Sequence, residues 1–214
     1  MEERHLSVPR SARYFIIGAD PRTARAVWFV LHGYGQLAGR FLRHFVSLGD
    51  GERTVVAPEG LSRFYLESNA RDKVGASWMT REDRLAEIDD YVRYLDLVFA
   101  EVTRERRPAG GIHVLGFSQG TATASRWLAQ GRARADRLIL WGGEVPPDLD
   151  LAQARERWER TTLLFVAGST DQFITPKVLA RDERRLKDHG IAYRVERFEG
   201  GHEIRQDVLE RITM

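Results

Sequence analysis

The sequence predicts an α/β fold: a mostly parallel central sheet with helices on both faces and no large cap domain. Three observations carry this. Short apolar runs alternate with longer stretches of helical periodicity along nearly the whole chain. One run, Ala26-Val27-Trp28-Phe29-Val30-Leu31, is apolar without a break, as a strand covered on both faces must be. His32, Ser118, Asp171 and His202, the residues with most chemistry to offer, each come just after a run of this kind. That places them at the carboxyl edge of the sheet, where open α/β sheets bind their ligands.

The first elements lie near the N-terminus. Residues 12–18, with Tyr14, Phe15, Ile16 and Ile17, read as a strand, and Asp20-Pro21-Arg22 as a turn. The strand over 26–31 stops at His32-Gly33-Tyr34-Gly35. Leu37, Phe41, Leu42, Phe45 and Leu48 have helical spacing, and 54–58 is the next strand. Residues 59–80 are polar and studded with aromatics, which predicts a long loop, functional or mobile. Thr80 then fits an N-cap. It precedes the clearest amphipathic helix, with Leu85, Ile88, Val92, Leu95, Phe99 and Val102 at steps of three and four. The charge run at 104–108 is its solvated end. Residues 112–115 read as a strand, 121–130 as a helix of small residues, 137–141 as a strand and 151–159 as a helix. A strand over 162–167 ends in Gly168-Ser169-Thr170-Asp171. Pro176 starts a helix that Gly190 caps. A last strand over 192–198 leads through Gly200-Gly201-His202 to a helix over 203–212. With no repeat or low-complexity tract, residues 1–214 are expected to form one domain.

Composition narrows the function. The chain has 214 residues, 43% of them hydrophobic, enough for one substantial core. Charged residues make up 30%, and the formal net charge of +2 comes from basic residues spread along the chain. No basic block interleaved with aromatics appears, so no nucleic-acid partner is expected. There is no cysteine, which excludes disulfides and cysteine-based metal sites. Neither a signal-like leader nor an apolar run of membrane-spanning length stands out, so the expectation is a cytoplasmic protein without membrane insertion. A homodimer is left open.

The chemistry centres on Gly116-Phe117-Ser118-Gln119-Gly120. Strand, tight turn with Ser at its apex, then helix is the context in which G-x-S-x-G presents a nucleophile. Gly116 and Gly120 let strand and helix pass closely. The helix N-terminus places the N–H of Gln119 near a developing oxyanion. A serine needs a base, and the base needs an orienting acid. His202 comes after a strand and two glycines. His113 lies inside a strand and reads as core, His189 as a helix C-terminus, and His5 and His44 lack strand-end placement. The acid is Asp171 or Glu144, each just past a strand.

The order Ser118, Asp171, His202 is that of α/β-hydrolases. With Leu31-His32-Gly33-Tyr34-Gly35, Gly168-Ser169-Thr170-Asp171 and Gly201-His202-Glu203-Ile204, the chain resembles the phospholipase/carboxylesterase family over residues 26–204. The resemblance implies an α/β-hydrolase fold and a catalytic set of Ser118, Asp171 and His202, favouring Asp171 over Glu144. It also implies an oxyanion hole from the N–H groups of Tyr34 and Gln119, with His32 shaping the turn, and no cofactor or metal. Ser77-Trp78 matches a segment that reaches the active site in that family. Met79-Thr80, Thr121 and Gln172 depart from the family's usual residues and bear on the substrate.

The function expected is a serine carboxylesterase acting on a small-molecule ester, with Trp78, Phe173 and Ile174 binding substrate and, with Tyr34, bounding a short acyl pocket. A lysophospholipase or acyl-protein thioesterase is the enzymatic alternative. A hydrolase-fold ligand-binding protein without turnover is the alternative of another class.

Overall fold

The computed structural model describes residues 1–67, 73–104 and 106–213. Its elements in chain order are β1 (Tyr14–Gly18), β2 (Ala26–Leu31), α1 (Ala38–Phe41) continued by a 3-10 turn (Leu42–Leu48), β3 (Arg53–Pro58), β4 (Ser62–Tyr65), β5 (Val74–Ser77), α2 (Arg84–Thr103), β6 (Ile112–Phe117), α3 (Gln119–Gln130), β7 (Arg137–Trp141), α4 (Leu151–Arg157), β8 (Thr162–Gly168), α5 (Pro176–Asp188), β9 (Tyr193–Phe198) and α6 (Gln206–Thr213). Seven strands form one sheet in the order β1-β3-β2-β6-β7-β8-β9. All neighbours are parallel except β1, which runs antiparallel to β3 at one edge. This is the expected α/β-hydrolase fold, without a large cap.

The unbroken apolar run of β2 has its physical reason in two cores. Val27, Phe29 and Leu31 pack on one face with residues of α2, α3, α4 and α5. Trp28 and Val30 pack on the other with the α1 segment and α6. Each such buried side chain contributes about 1.5–3 kcal/mol relative to exposure. On α2 the inward stripe is Ile88, Tyr91, Val92, Leu95, Val98 and Val102. The helix expected over 37–48 tightens after Phe41. In a three-residue turn, residues three apart line up, so Leu42, Phe45 and Leu48 share one buried side.

Two expectations are corrected. The stretch 59–80 is not a plain loop: β4 and β5 form an antiparallel hairpin within it, and its residues 68–72 lie outside the described residues, as does Glu105 of the charge run. Helix α2 starts at Arg84, not after Thr80, because Asp83 takes a left-handed conformation with φ 45°. The Thr80 hydroxyl and N–H turn to the Glu87 carboxylate. The caps at α5 hold: Thr175 accepts from Val178 N–H, Pro176 opens the helix and Gly190 lies just past its end with φ 65°.

Register sets up the site. Leu31 lies opposite Gly116, Phe117 opposite Trp141, Trp141 opposite Val166, and Gly168 opposite Phe198. The strands therefore end together, and the residues just past their ends share the carboxyl edge. Among the described residues, no helix is long and apolar enough to cross a membrane.

Candidate active site

Ser118 sits between β6 and α3 with φ 54° and ψ −118°. For a residue with a Cβ this conformation costs on the order of 1–3 kcal/mol and must be held by its surroundings. Its N–H donates to Trp141 O at 2.9 Å. Its carbonyl accepts from the N–H of Thr121 at 3.0 Å and from the Thr121 hydroxyl at 2.7 Å. The flanking glycines are demanded by space: a Cβ on Gly116 would lie 2.2 Å from Gly120 O, and one on Gly120 would lie 2.2 Å from Leu31 O.

The His32-Gly33-Tyr34 turn abuts Ser118, since a Cβ on Gly33 would meet the Ser118 Cβ at 3.1 Å. His32 is fully buried. Its Nε2 accepts from Gly60 N–H at 2.9 Å, so Nδ1 carries the proton and donates to Gly33 O at 2.8 Å. Burial pushes its pKa down, against the Gly33 hydrogen bond and the nearby Glu59, and keeps the ring neutral. Holding the Gly33 carbonyl also aims the opposite end of the same peptide unit, the Tyr34 N–H, the other way. Among the described residues neither Tyr34 N–H nor Gln119 N–H has a protein acceptor.

The Gln119 side chain reaches across to the hairpin. Its Oε1 accepts from Trp78 N–H at 3.1 Å, and its Nε2 donates to Met79 O at 2.8 Å and to Ser77 Oγ at 3.1 Å. The residue type was visible in the sequence, but nothing there signalled that its side chain points away from the elbow to hold β5.

His202 lies just past β9 and Asp171 just past β8. His202 Nδ1 and Asp171 Oδ2 are 2.8 Å apart, and the carboxylate is 1% exposed. Asp171 Oδ1 accepts from the N–H groups of Phe173 at 2.8 Å and Ile174 at 3.1 Å. Both carboxylate oxygens are therefore used, which fixes the acid's orientation. The His202 loop is held by Thr170, whose N–H and hydroxyl donate to Gly200 O, and by Trp141 Nε1, which donates to Glu203 O. A Cβ on Gly142 would come within 3.2 Å of the imidazole. Phe117 also packs on that ring, with centroids 4.9 Å apart. No sequence signal marked Gly142 or Phe117 as imidazole neighbours. Among the described residues Ser118 makes no direct hydrogen bond to His202. Such bonds are often long before substrate binds.

The predicted residues divide. Ser118, Tyr34, Gln119, Asp171 and His202 gather at one edge. Glu144 turns to Arg181 instead of His202. Trp78 is 1% exposed. Its ring stacks on His32 at 5.0 Å and its Nε1 donates to His32 O, so it belongs to the core beneath the turn and not to an open pocket wall. Ile174 is half-buried against the core. Tyr34 and Phe173 are open to solvent; Tyr34 lies against Phe64 at 5.1 Å and Phe173 edge-on to His202 at 4.7 Å. Among the described residues, the one His/Asp/Glu group with ligand atoms within 4.8 Å of each other is Glu3, His5 and Asp83, which is exposed and separate from these residues.

This fold, with a strained serine at the strand-to-helix turn, defines an α/β-hydrolase. The model of the phospholipase/carboxylesterase family matches residues 13–214, and the chain belongs to that family. Solved structures resemble it at low identity. A Zea mays acyl-protein thioesterase 2 has a TM-score of 0.70 and 17% identity, covering 94% of this chain and 96% of that one. A Bacillus cereus carboxylesterase has 0.67 and 17%, covering 94% and 91%. A phospholipase/carboxylesterase from Dyadobacter fermentans has 0.66 and 18%, covering 96% of each. No curated protein matches the chain.

Proposed function

We propose that the chain is a serine carboxylesterase acting on small-molecule esters through an acyl-enzyme. The observation that carries this reading is the Asp171–His202 pair at 2.8 Å on the same strand-end edge as the strained Ser118. Ser118 Oγ attacks the ester carbonyl carbon and its proton passes to His202 Nε2. Asp171 holds Nδ1–H and stabilises the imidazolium. The carbonyl oxygen takes the negative charge, facing the unengaged N–H groups of Tyr34 and Gln119; one such donor contributes about 3–4 kcal/mol in the transition state. Collapse expels the alkoxide, which takes the proton from His202. Water then repeats the sequence against the acyl-enzyme and regenerates Ser118.

Thioester cleavage by an acyl-protein thioesterase, or lysophospholipase action, would use the same groups and differ in the acyl chain accepted. A p-nitrophenyl ester series from acetate to palmitate separates them, with a short-chain optimum expected. Fluorophosphonate should label Ser118 stoichiometrically, and Ser118→Ala should fold, melt as the parent does and hydrolyse nothing. Full activity in that variant would sink the serine-hydrolase reading. Binding of esters without labelling or turnover would favour a ligand-binding protein.

A further inference from the structure

The geometry around His202 points to a determinant of the alcohol half of the substrate, and this rests on the serine-hydrolase reading above. In acyl transfer the imidazole that takes the Ser118 proton must return it to the departing oxygen. That oxygen must come within about 2.6–3.2 Å of His202 Nε2. The carbonyl oxygen points elsewhere, to the N–H groups of Tyr34 and Gln119. The first carbons of the alcohol therefore lie beside the imidazole.

Two phenyl rings touch that imidazole. Phe117 is 5% exposed and committed to the core. Phe173 is 59% exposed, with its ring centroid 4.7 Å from that of His202. An exposed phenyl ring would ordinarily be free to turn away. This one stands on a backbone that Asp171 Oδ1 grips at the N–H groups of Phe173 and Ile174. The carboxylate that orients the imidazole with one oxygen thus orients the phenyl ring's backbone with the other. The result is an apolar ring on a held backbone, lying against the imidazole next to the place where the leaving group must stand.

We propose that Phe173 is a specificity-determining residue that contacts the alcohol moiety, and that the favoured substrates are esters of apolar, ring-bearing alcohols. A benzyl or aryl group laid on Phe173 removes apolar surface of both partners from water, which methanol cannot do. Ring pairs of this kind favour association by about three- to tenfold beyond their buried area.

The test uses the full chain and two substrate series. One holds the acyl group constant as methyl, butyl and benzyl acetate. The other holds the alcohol constant as methyl acetate, propionate and butyrate. In the parent, kcat/KM should be highest for benzyl acetate in the first series. Phe173→Ala should lower the benzyl-to-methyl ratio by about three- to tenfold, with Phe173→Leu between the two. The butyrate-to-acetate ratio should move by less than about twofold, since the acyl group does not meet this ring. A ring that only steadied His202 would lower every rate alike and leave both ratios in place. An unmoved alcohol ratio, an acyl ratio that falls as far, or a parent indifferent to the alcohol would each overturn the proposal. Failure of fluorophosphonate to label Ser118 in the parent would strike the serine-hydrolase reading itself, and this proposal with it.

Discussion

The Asp171 carboxylate shows how one residue's two oxygens separate two effects. Oδ2 faces His202 Nδ1, while Oδ1 accepts from Phe173 and Ile174 N–H. In Asp171→Asn the amide oxygen would stay with those N–H donors, which leaves the NH2 group facing Nδ1. The imidazole must then present a bare Nδ1 and carry its proton on Nε2, where it can no longer receive one from Ser118. We expect kcat to fall on the order of 10³- to 10⁴-fold, while the melting temperature changes little. Glu144→Gln should cost far less, since that carboxylate serves Arg181. Steady-state rates for both variants check this, and a reversed pattern would make Glu144 the acid. The order Ser118, Asp171, His202 was legible in the sequence because each lies just past a strand. The partner of each carboxylate was not, because Asp171 and Glu144 share that placement and only the side-chain direction separates them.

At the scale of elements, the site depends on a hairpin that the sequence did not reveal. β4 and β5 are four residues each, too short for alternation to stand out from the polar stretch around them. Their anchor is long-range: Gly35 N–H donates to Ala76 O and Ala76 N–H to Gln36 O, while Gln119 grips Ser77, Trp78 and Met79. Local periodicity cannot encode a strand end that is held by a glutamine so distant in sequence. Gln119→Leu keeps the backbone N–H of the turn but leaves Trp78 N–H without an acceptor, while Met79 O keeps only the Ser77 hydroxyl. An unpaired buried group of this kind costs about 1–3 kcal/mol. The variant should therefore unfold at lower urea, and its kcat/KM should fall as Trp78 loosens beneath the His32 turn. Unchanged stability and rate together would show that the clamp holds nothing. Helix α2 shows a second limit. Its inward stripe was plain from spacing, but its start was misplaced, because Asp83 in a left-handed conformation breaks the chain there and the Thr80 cap-like contact goes to Glu87.

At the scale of the molecule, the sheet was most legible where it is covered on both faces, as in β2. The edge strand β1 was harder to bound and starts two residues later than expected, since its exposed positions alternate with half-buried ones and none is fully buried. Inside a doubly covered sheet a polar residue is conspicuous, and His113 in β6 is one. It is 9% exposed, lies 4.4 Å from the Trp28 ring and directs Nε2 to Gly110 O at 2.9 Å. Its Nδ1 is buried without a partner. Burial above all, opposed by the Gly110 hydrogen bond, pushes its pKa down to about 4 from an ordinary 6.5. The folded protein therefore keeps this ring neutral through a range in which the unfolded chain protonates it. Between those two values the unfolded state holds more protons, so stability rises with pH. The contribution is complete above pH 6.5 and is lost as pH falls towards 4. The whole interval corresponds to about 3 kcal/mol, of which about 2 kcal/mol should be gone by about pH 5. Few carboxylates titrate in the unfolded chain above about pH 5, so the window isolates histidines. Urea unfolding at about pH 7 and about pH 5 should show the parent losing about 2 kcal/mol more than His113→Gln, which has no proton to take up there. An equal loss in both proteins would mean that another histidine, with His32 the first to test, carries the acid sensitivity of the fold.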